Sequence, residues 1–137
     1  MTATTTLRFC AAHRLLGHEG TCARLHGHNY VVRVMVEAEE LDSVGRVADF
    51  SVVKRDVGGW LTATWDHAVV LNAGDPLGPV LEREGQKVAV LSGVNPTAEG
   101  MADFLFRFVC PMYFRGPVKV VEVEVEETPG NKARAWK

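Results

Sequence analysis

The chain has 137 residues, a mass of 15.0 kDa, a formal net charge of −2, 47% hydrophobic residues and 23% charged residues. That length predicts one domain over residues 1–137 with a core that needs no staples, and the composition excludes disordered and collagen-like classes. The weak acidic balance offers nucleic acid no non-specific attraction, and no apolar run approaches the ~18 residues of a membrane helix. The first six residues carry neither the basic nor the apolar region of a secretory leader. Cys10, Cys22 and Cys110 are odd in number and lack a CxxC spacing, so a cytoplasmic, reducing environment is expected.

Period-two alternation predicts two strands in the first 40 residues. Over 7–13 one face carries Leu7, Phe9, Ala11 and His13. Over 28–38 it carries His28, Tyr30, Val32, Val34, Val36 and Ala38, with Asn29, Arg33 and Glu37 opposite. One polar face per strand signals an antiparallel sheet covered on one side. The loop between them, 16–22, is rich in small and polar residues. Asp49 is a fitting N-cap for a helix whose stripe is Phe50, Val53, Val57, Trp60, Leu61 and Thr64. Gly58-Gly59 weakens its middle. A long connection over 72–94 follows, with a short strand predicted at 88–91. Asn95 as cap and Pro96 as first residue open a second helix, with Met101, Phe104, Leu105, Phe108 and Val109 as its core stripe. The last strong strand, 118–127, directs Val121, Val123 and Val125 inward and Glu122, Glu124 and Glu126 to solvent. Pro129-Gly130 turns the chain into a short strand through Ala133 and Trp136.

The informative residues are polar groups in phase with apolar faces. His13 ends one such face, His28 opens another, and His26 shares it if the strand begins there. Three neutral imidazoles with an open fourth position are what a catalytic zinc site requires. Cys22, four residues before His26, is a loop residue, a thiolate ligand or a reactive thiol beside a dication. Asp66-His67 is a candidate dyad, but neighbours on a regular strand face opposite ways, so a direct pair needs a turn or helix end. Cys10 faces away from His13 and reads as packing, as does Cys110; His18 carries no assigned role. Glu127 falls in phase with Val121, Val123 and Val125, and a carboxylate on a core face needs a partner or a ligand.

Together these residues resemble the 6-pyruvoyl- and 6-carboxy-tetrahydropterin synthase family. The matching runs are 9–15 (FCAAHRL), 22–30 (CARLHGHNY), Asp49-Phe50, Trp65-Asp66-His67 with Leu71-Asn72, 95–99 (NPTAE) and Glu127-Thr128. The resemblance implies an α+β T-fold: an antiparallel four-stranded sheet with two helices on one face. It implies a homo-hexamer, a dimer of trimers with active sites at subunit interfaces. It assigns zinc to His13, His26 and His28, catalysis to Cys22, Asp66 and His67, and pterin binding to Thr97, Ala98 and Glu127.

The implied substrate is 7,8-dihydroneopterin triphosphate. The resemblance makes Cys22 the base for a carbon-bound proton and His67, oriented by Asp66, the proton carrier on side-chain oxygens. Three residues separate Cys22 from His26, a spacing that resembles the 6-carboxy group, which feeds queuosine and other 7-deazapurines. The pyruvoyl synthase of biopterin synthesis and a non-catalytic pterin-binding homologue are the alternatives. A Cys-His hydrolase using Cys22 and His67 shows no oxyanion-hole motif and leaves His26 and His28 unexplained.

Overall fold

In the computed structural model, which describes residues 1–137, β1 (Thr2–His13) and β2 (His26–Glu37) pair antiparallel along their whole length. Leu7 lies opposite Val32, Phe9 opposite Tyr30, Ala11 opposite His28 and His13 opposite His26. The two alternations therefore share one buried face, as their period predicts. β5 (Lys119–Thr128) pairs antiparallel with β2, and β6 (Asn131–Trp136) with β5.

These four strands are the expected antiparallel sheet, but the sheet has six. β3 (Ala68–Asn72) joins β1 in parallel and β4 (Val88–Leu91) joins β3 in parallel, giving the order β4-β3-β1-β2-β5-β6. Residues 68–72 read Ala-Val-Val-Leu-Asn, an unalternating apolar run typical of a parallel strand and mute to a period-two test. The long connection also holds a helix, α2 (Leu77–Arg83). Pro79 falls in its first turn, where a missing N–H costs nothing. Arg14 grips the buried Asp75 through two nitrogens, and Asp75 accepts the Leu77 N–H at 2.8 Å. The connection is thereby tied to the end of β1.

Helix α1 runs through Phe50–Val53, a π turn at Lys54–Gly58 and Gly59–Thr64. Asp49 caps it, accepting the Ser51 N–H at 2.8 Å. Helix α3 repeats the construction with Ala98–Phe104, a π turn at Leu105–Val109 and Cys110–Tyr113. A five-residue turn inside each helix shifts the phase, so one 3.6-residue stripe does not describe either. Val53, Val57, Leu61, Met101, Leu105 and Val109 are buried as expected, whereas Thr64 is half-buried and Phe50 and Phe108 are exposed. Both helices cover the Leu7, Phe9, Val32, Val34, Val123 and Val125 face. Trp65 sits at the centre, against Phe9, Trp60 and Phe104.

Two details of β5 depart from strict alternation. The β2–β5 register shifts between Met35 and Val36, which face Glu122 and Val120. Val121 is thus a bulge residue, and Val118 and Val120 pack on the core in its place. Glu124 is not solvated but 3% exposed, because Arg33 and Arg134 each donate to it at 2.6 Å and Lys132 lies 3.4 Å away. Burial alone would raise its pKa; the bonds from Arg134 and Arg33 outweigh that and hold it below the ordinary carboxylate value.

Candidate metal centre and active site

His13, His26 and His28 end on the helix-covered face, and their ligating nitrogens lie within 4.8 Å of one another. The strand register does this: His13 faces His26 across the ladder and His28 stands two residues along. Gly27 lets the strands close, since a Cβ there would meet the Ala11 carbonyl at 3.1 Å. His13 Nδ1 donates to the Pro96 carbonyl at 2.8 Å and His26 Nδ1 to the Arg24 carbonyl at 2.6 Å. A carbonyl only accepts, so both Nδ1 atoms carry the proton and both Nε2 lone pairs are free. Those two Nε2 atoms are 3.1 Å apart.

His28 Nε2 is buried with no hydrogen-bond partner. Glu127 Oε1 is 3.3 Å from it without the alignment of a hydrogen bond, and Oε2 is 3.9 Å from His13 Nε2, too far for one. Burial lowers the pKa of His13, against the raising effects of the Pro96 bond and Glu127, and burial likewise lowers that of His28. Neutral, oriented imidazoles with an orphaned nitrogen among them are what a divalent cation needs. The donor set fits a metal.

Glu127 also belongs to a second feature. It lines a cavity of about 400 Å³ with Thr97, Ala98, Glu99 and Lys132. The three residues expected to bind the pterin are thus neighbours on one wall. Thr97, not Asn95, caps α3, its Oγ1 accepting the Gly100 N–H at 3.0 Å. The Asn95 amide instead bonds Leu16 in both directions, donating to its carbonyl and accepting its N–H, each at 2.9 Å. Residues 95–97 therefore pin the β1–β2 loop, orient His13 and line the cavity at once. The Gly100 Cβ position would lie 2.5 Å from the Asn95 carbonyl, so only glycine permits this packing. Helix-start signals and the NPTAE run draw attention to Asn95 and Pro96, but that the Pro96 carbonyl orients His13 leaves no mark in sequence.

Asp66 and His67 do form a pair, His67 Nδ1 to Asp66 Oδ2 at 2.9 Å. They sit past the end of α1, and His67 adopts φ +56°, the break in regular structure that a direct pair requires. Backbone bonding from Cys10 and the His67 contact hold the Asp66 carboxyl below its ordinary pKa. Their neighbour is Cys10. Its N–H donates to Asp66 Oδ1 at 3.0 Å, its carbonyl accepts the His67 N–H at 2.7 Å, and its Sγ is 3.6 Å from His67 Nε2. Cys10 is therefore not a packing residue. It alternates with His13 along β1, so this cluster occupies the sheet face opposite the three histidines. It opens on a cavity of about 440 Å³ lined by Ala12, Gly27, Asn29 and Lys87 among others. Cys22 lies in a 3₁₀ turn, Thr21–Ala23, within the β1–β2 loop, and joins neither cluster. One chain keeps the expected catalytic set apart.

The pattern of the family 6-pyruvoyl tetrahydropterin synthase matches residues 2–137. The chain belongs to that family. It is 37% identical over 129 residues to the 6-carboxy-5,6,7,8-tetrahydropterin synthase of Rickettsia bellii, covering 92% of this chain and 93% of that protein. The synthase of the same name from Aquifex aeolicus is 32% identical, with 93% of both chains covered. Among solved structures, the 6-pyruvoyl tetrahydropterin synthase of Caenorhabditis elegans superposes with a TM-score of 0.74 at 25% identity, covering 100% of this chain and 95% of that one. An uncharacterised protein of Wolinella succinogenes superposes at 0.85 with 24% identity, covering 100% and 98%, and speaks to the fold alone. The tetrahydropterin synthase fold is thus shared across the whole chain, and no helix is long and apolar enough to cross a membrane.

Proposed function

We propose that this protein is a zinc-dependent 6-carboxy-5,6,7,8-tetrahydropterin synthase acting on 7,8-dihydroneopterin triphosphate. The reading rests on the convergence of three imidazole nitrogens beside Glu127 and its cavity, in a chain whose near relatives carry that name. His13, His26 and His28 would hold the zinc through Nε2. When bound, zinc supplies a Lewis acid for the substrate's side-chain hydroxyls and for negative charge that develops beside them. Glu127 accepts from the pterin's N–H donors, a charge-assisted and directional contact, with Thr97 and Ala98 beside it. Cys22, as thiolate, takes the carbon-bound proton. His67, held by Asp66, moves protons on the side-chain oxygens. Triphosphate is eliminated, one water adds, and the side-chain carbon–carbon bond breaks to leave a carboxylate on the ring and release acetaldehyde.

The segregation of the two clusters on opposite sheet faces supports a site completed by a second copy. The outer strands β4 and β6 are available for closure, in a homo-hexamer of two trimers. All three cysteines are free thiols, in keeping with a cytoplasmic enzyme. Mass spectrometry after incubation with 7,8-dihydroneopterin triphosphate tests the reading. A carboxylate product with acetaldehyde and triphosphate is expected. A pyruvoyl product makes it the other synthase, and unchanged substrate makes it a pterin-binding homologue.

A further inference from the structure

His67 stands in a turn that its own residue type disfavours. Trp65–Ala68 closes with the Ala68 N–H on the Trp65 carbonyl at 3.1 Å, and of the two central residues only His67 has a positive φ, +56°. That is the type II pattern, which glycine fills more readily than histidine. Types I and II differ in the orientation of the central peptide, here the Asp66 carbonyl and the His67 N–H, and type I needs no positive φ. We propose that Lys87 is a positioning residue: its ammonium holds this peptide in the type II orientation and so keeps the His67 imidazole on Asp66. Its role in turnover rests on the activity proposed above.

Both halves of the central peptide are occupied. The His67 N–H donates to the Cys10 carbonyl at 2.7 Å, and Lys87 Nζ donates to the Asp66 carbonyl at 2.9 Å. The same ammonium donates to the Thr62 carbonyl at 3.2 Å, in the last turn of α1, where unpaired carbonyls and the helix dipole favour a cation. On the far side of His67, the Val69 N–H donates to the Lys87 carbonyl at 2.8 Å. Lys87 therefore bonds the chain on both sides of His67, once by side chain and once by main chain. A flip of the central peptide breaks both of its bonds and swings His67 Nδ1 off Asp66 Oδ2, because the carboxylate stays fixed through Oδ1 by the Cys10 N–H at 3.0 Å. The long connection gains a task from this arrangement. Arg14 on the buried Asp75 anchors its start, and the pairing of Val88 with Val69 anchors its end, which sets Lys87 beside the turn.

Lys87 is exposed, so Lys87→Met removes both donors without disturbing the core. The full chain labelled with ¹⁵N-histidine has five histidine amides, and the His67 signal is assigned by its loss in His67→Asn. Hydrogen exchange of these amides is followed without substrate, and kcat and KM are measured with 7,8-dihydroneopterin triphosphate. In Lys87→Met the His67 amide should exchange about tenfold faster while the other histidine amides keep their rates. The kcat should fall about tenfold with KM within about threefold, the mark of lost orientation rather than lost binding. Lys87→Arg keeps the donors and should restore both readings. Gln86→Ala, on the same cavity wall, should change neither. An unchanged His67 exchange rate in Lys87→Met, an unchanged kcat, or a loss confined to KM overturns the proposal, the last making the ammonium a substrate-binding group. If the wild type proves inactive, the synthase reading falls, and the exchange rates alone still decide whether Lys87 holds the turn.

Discussion

Replacing Glu127 by Gln preserves its volume on the wall of the cavity it shares with Thr97 and Ala98. It removes the charge and turns one acceptor oxygen into a donor that faces the donors of a pterin. Losing a charge-assisted pair of this kind costs on the order of 2–4 kcal/mol, roughly 30-fold to 1000-fold in affinity. A second effect competes: Glu127 stands 3.3 Å from His28 Nε2, so its charge also favours a cation among the histidines. Three neutral imidazoles still provide the ligands, so zinc should remain while pterin affinity falls. Zinc content is therefore measured on the same samples as a calorimetric titration with a non-reacting pterin. Glu126→Gln is the control. It lies one residue away on the opposite face and breaks only the contact with Arg33 at 2.8 Å. That pair is part-exposed and worth at most about 1 kcal/mol of stability, with no change expected in pterin binding. Equal affinities in the two variants, zinc being intact in both, would remove Glu127 from the pterin site.

His26→Ala and His28→Ala should each lower bound zinc below one per chain in metal analysis, while Cys22→Ala keeps zinc and loses turnover; zinc lost with Cys22 would make the thiol a ligand. Mixed oligomers of Cys22→Ala and His67→Asn chains should regain activity in about one quarter of their sites, the fraction in which both intact residues meet across an interface; no recovery after subunit exchange would place the whole set within one chain. Metal-stripped protein should melt lower as pH falls. Burial lowers the pKa of His13 and His28 from 6.5, so below about 6.5 the unfolded chain binds more protons than the folded one, and stability present above that pH is lost as pH falls through the lowered values. Thermal melts at about pH 7.5 and 5.5 check the sign, and a higher midpoint at the lower pH would contradict it.

Much of the fold is legible because its central strands alternate. The 7–13 and 28–38 patterns locate β1, β2 and their shared face, although β1 begins earlier, at Thr2, and β2 takes in His26 and Gly27. The Thr-rich start has no apolar alternation to announce itself, yet it pairs with β2 up to Glu37. What stays hidden is hidden for physical reasons. β3 is apolar without alternation, and α2 is masked by Gly78 and Pro79 within its first turn. The π turns are invisible because sequence patterns assume one period per helix.

The site shows the same division between parity and register. Alternation marks both Glu127 and His13 as polar groups on an apolar face, and each indeed stands at the histidine centre. Alternation also sends Glu124 and Cys10 to the other face, where it expects only solvent and packing. Register overrules both expectations. Glu124 is opposite Arg33 on one side and Arg134 on the other, so it is buried in an ion-pair network rather than solvated. Cys10 borders the turn before β3, a strand the period-two pattern does not reveal, so its contact with Asp66 and His67 could not be read. A face assignment says that a polar group needs a partner; only the identity of the next strand says which. Because β1 divides His13 from Cys10 by alternation alone, nothing short of unpairing the strand brings His67 to the three histidines within one chain. A catalytic set that spans both faces, as proposed above, would therefore draw on a second copy, and the subunit-exchange assay tests it.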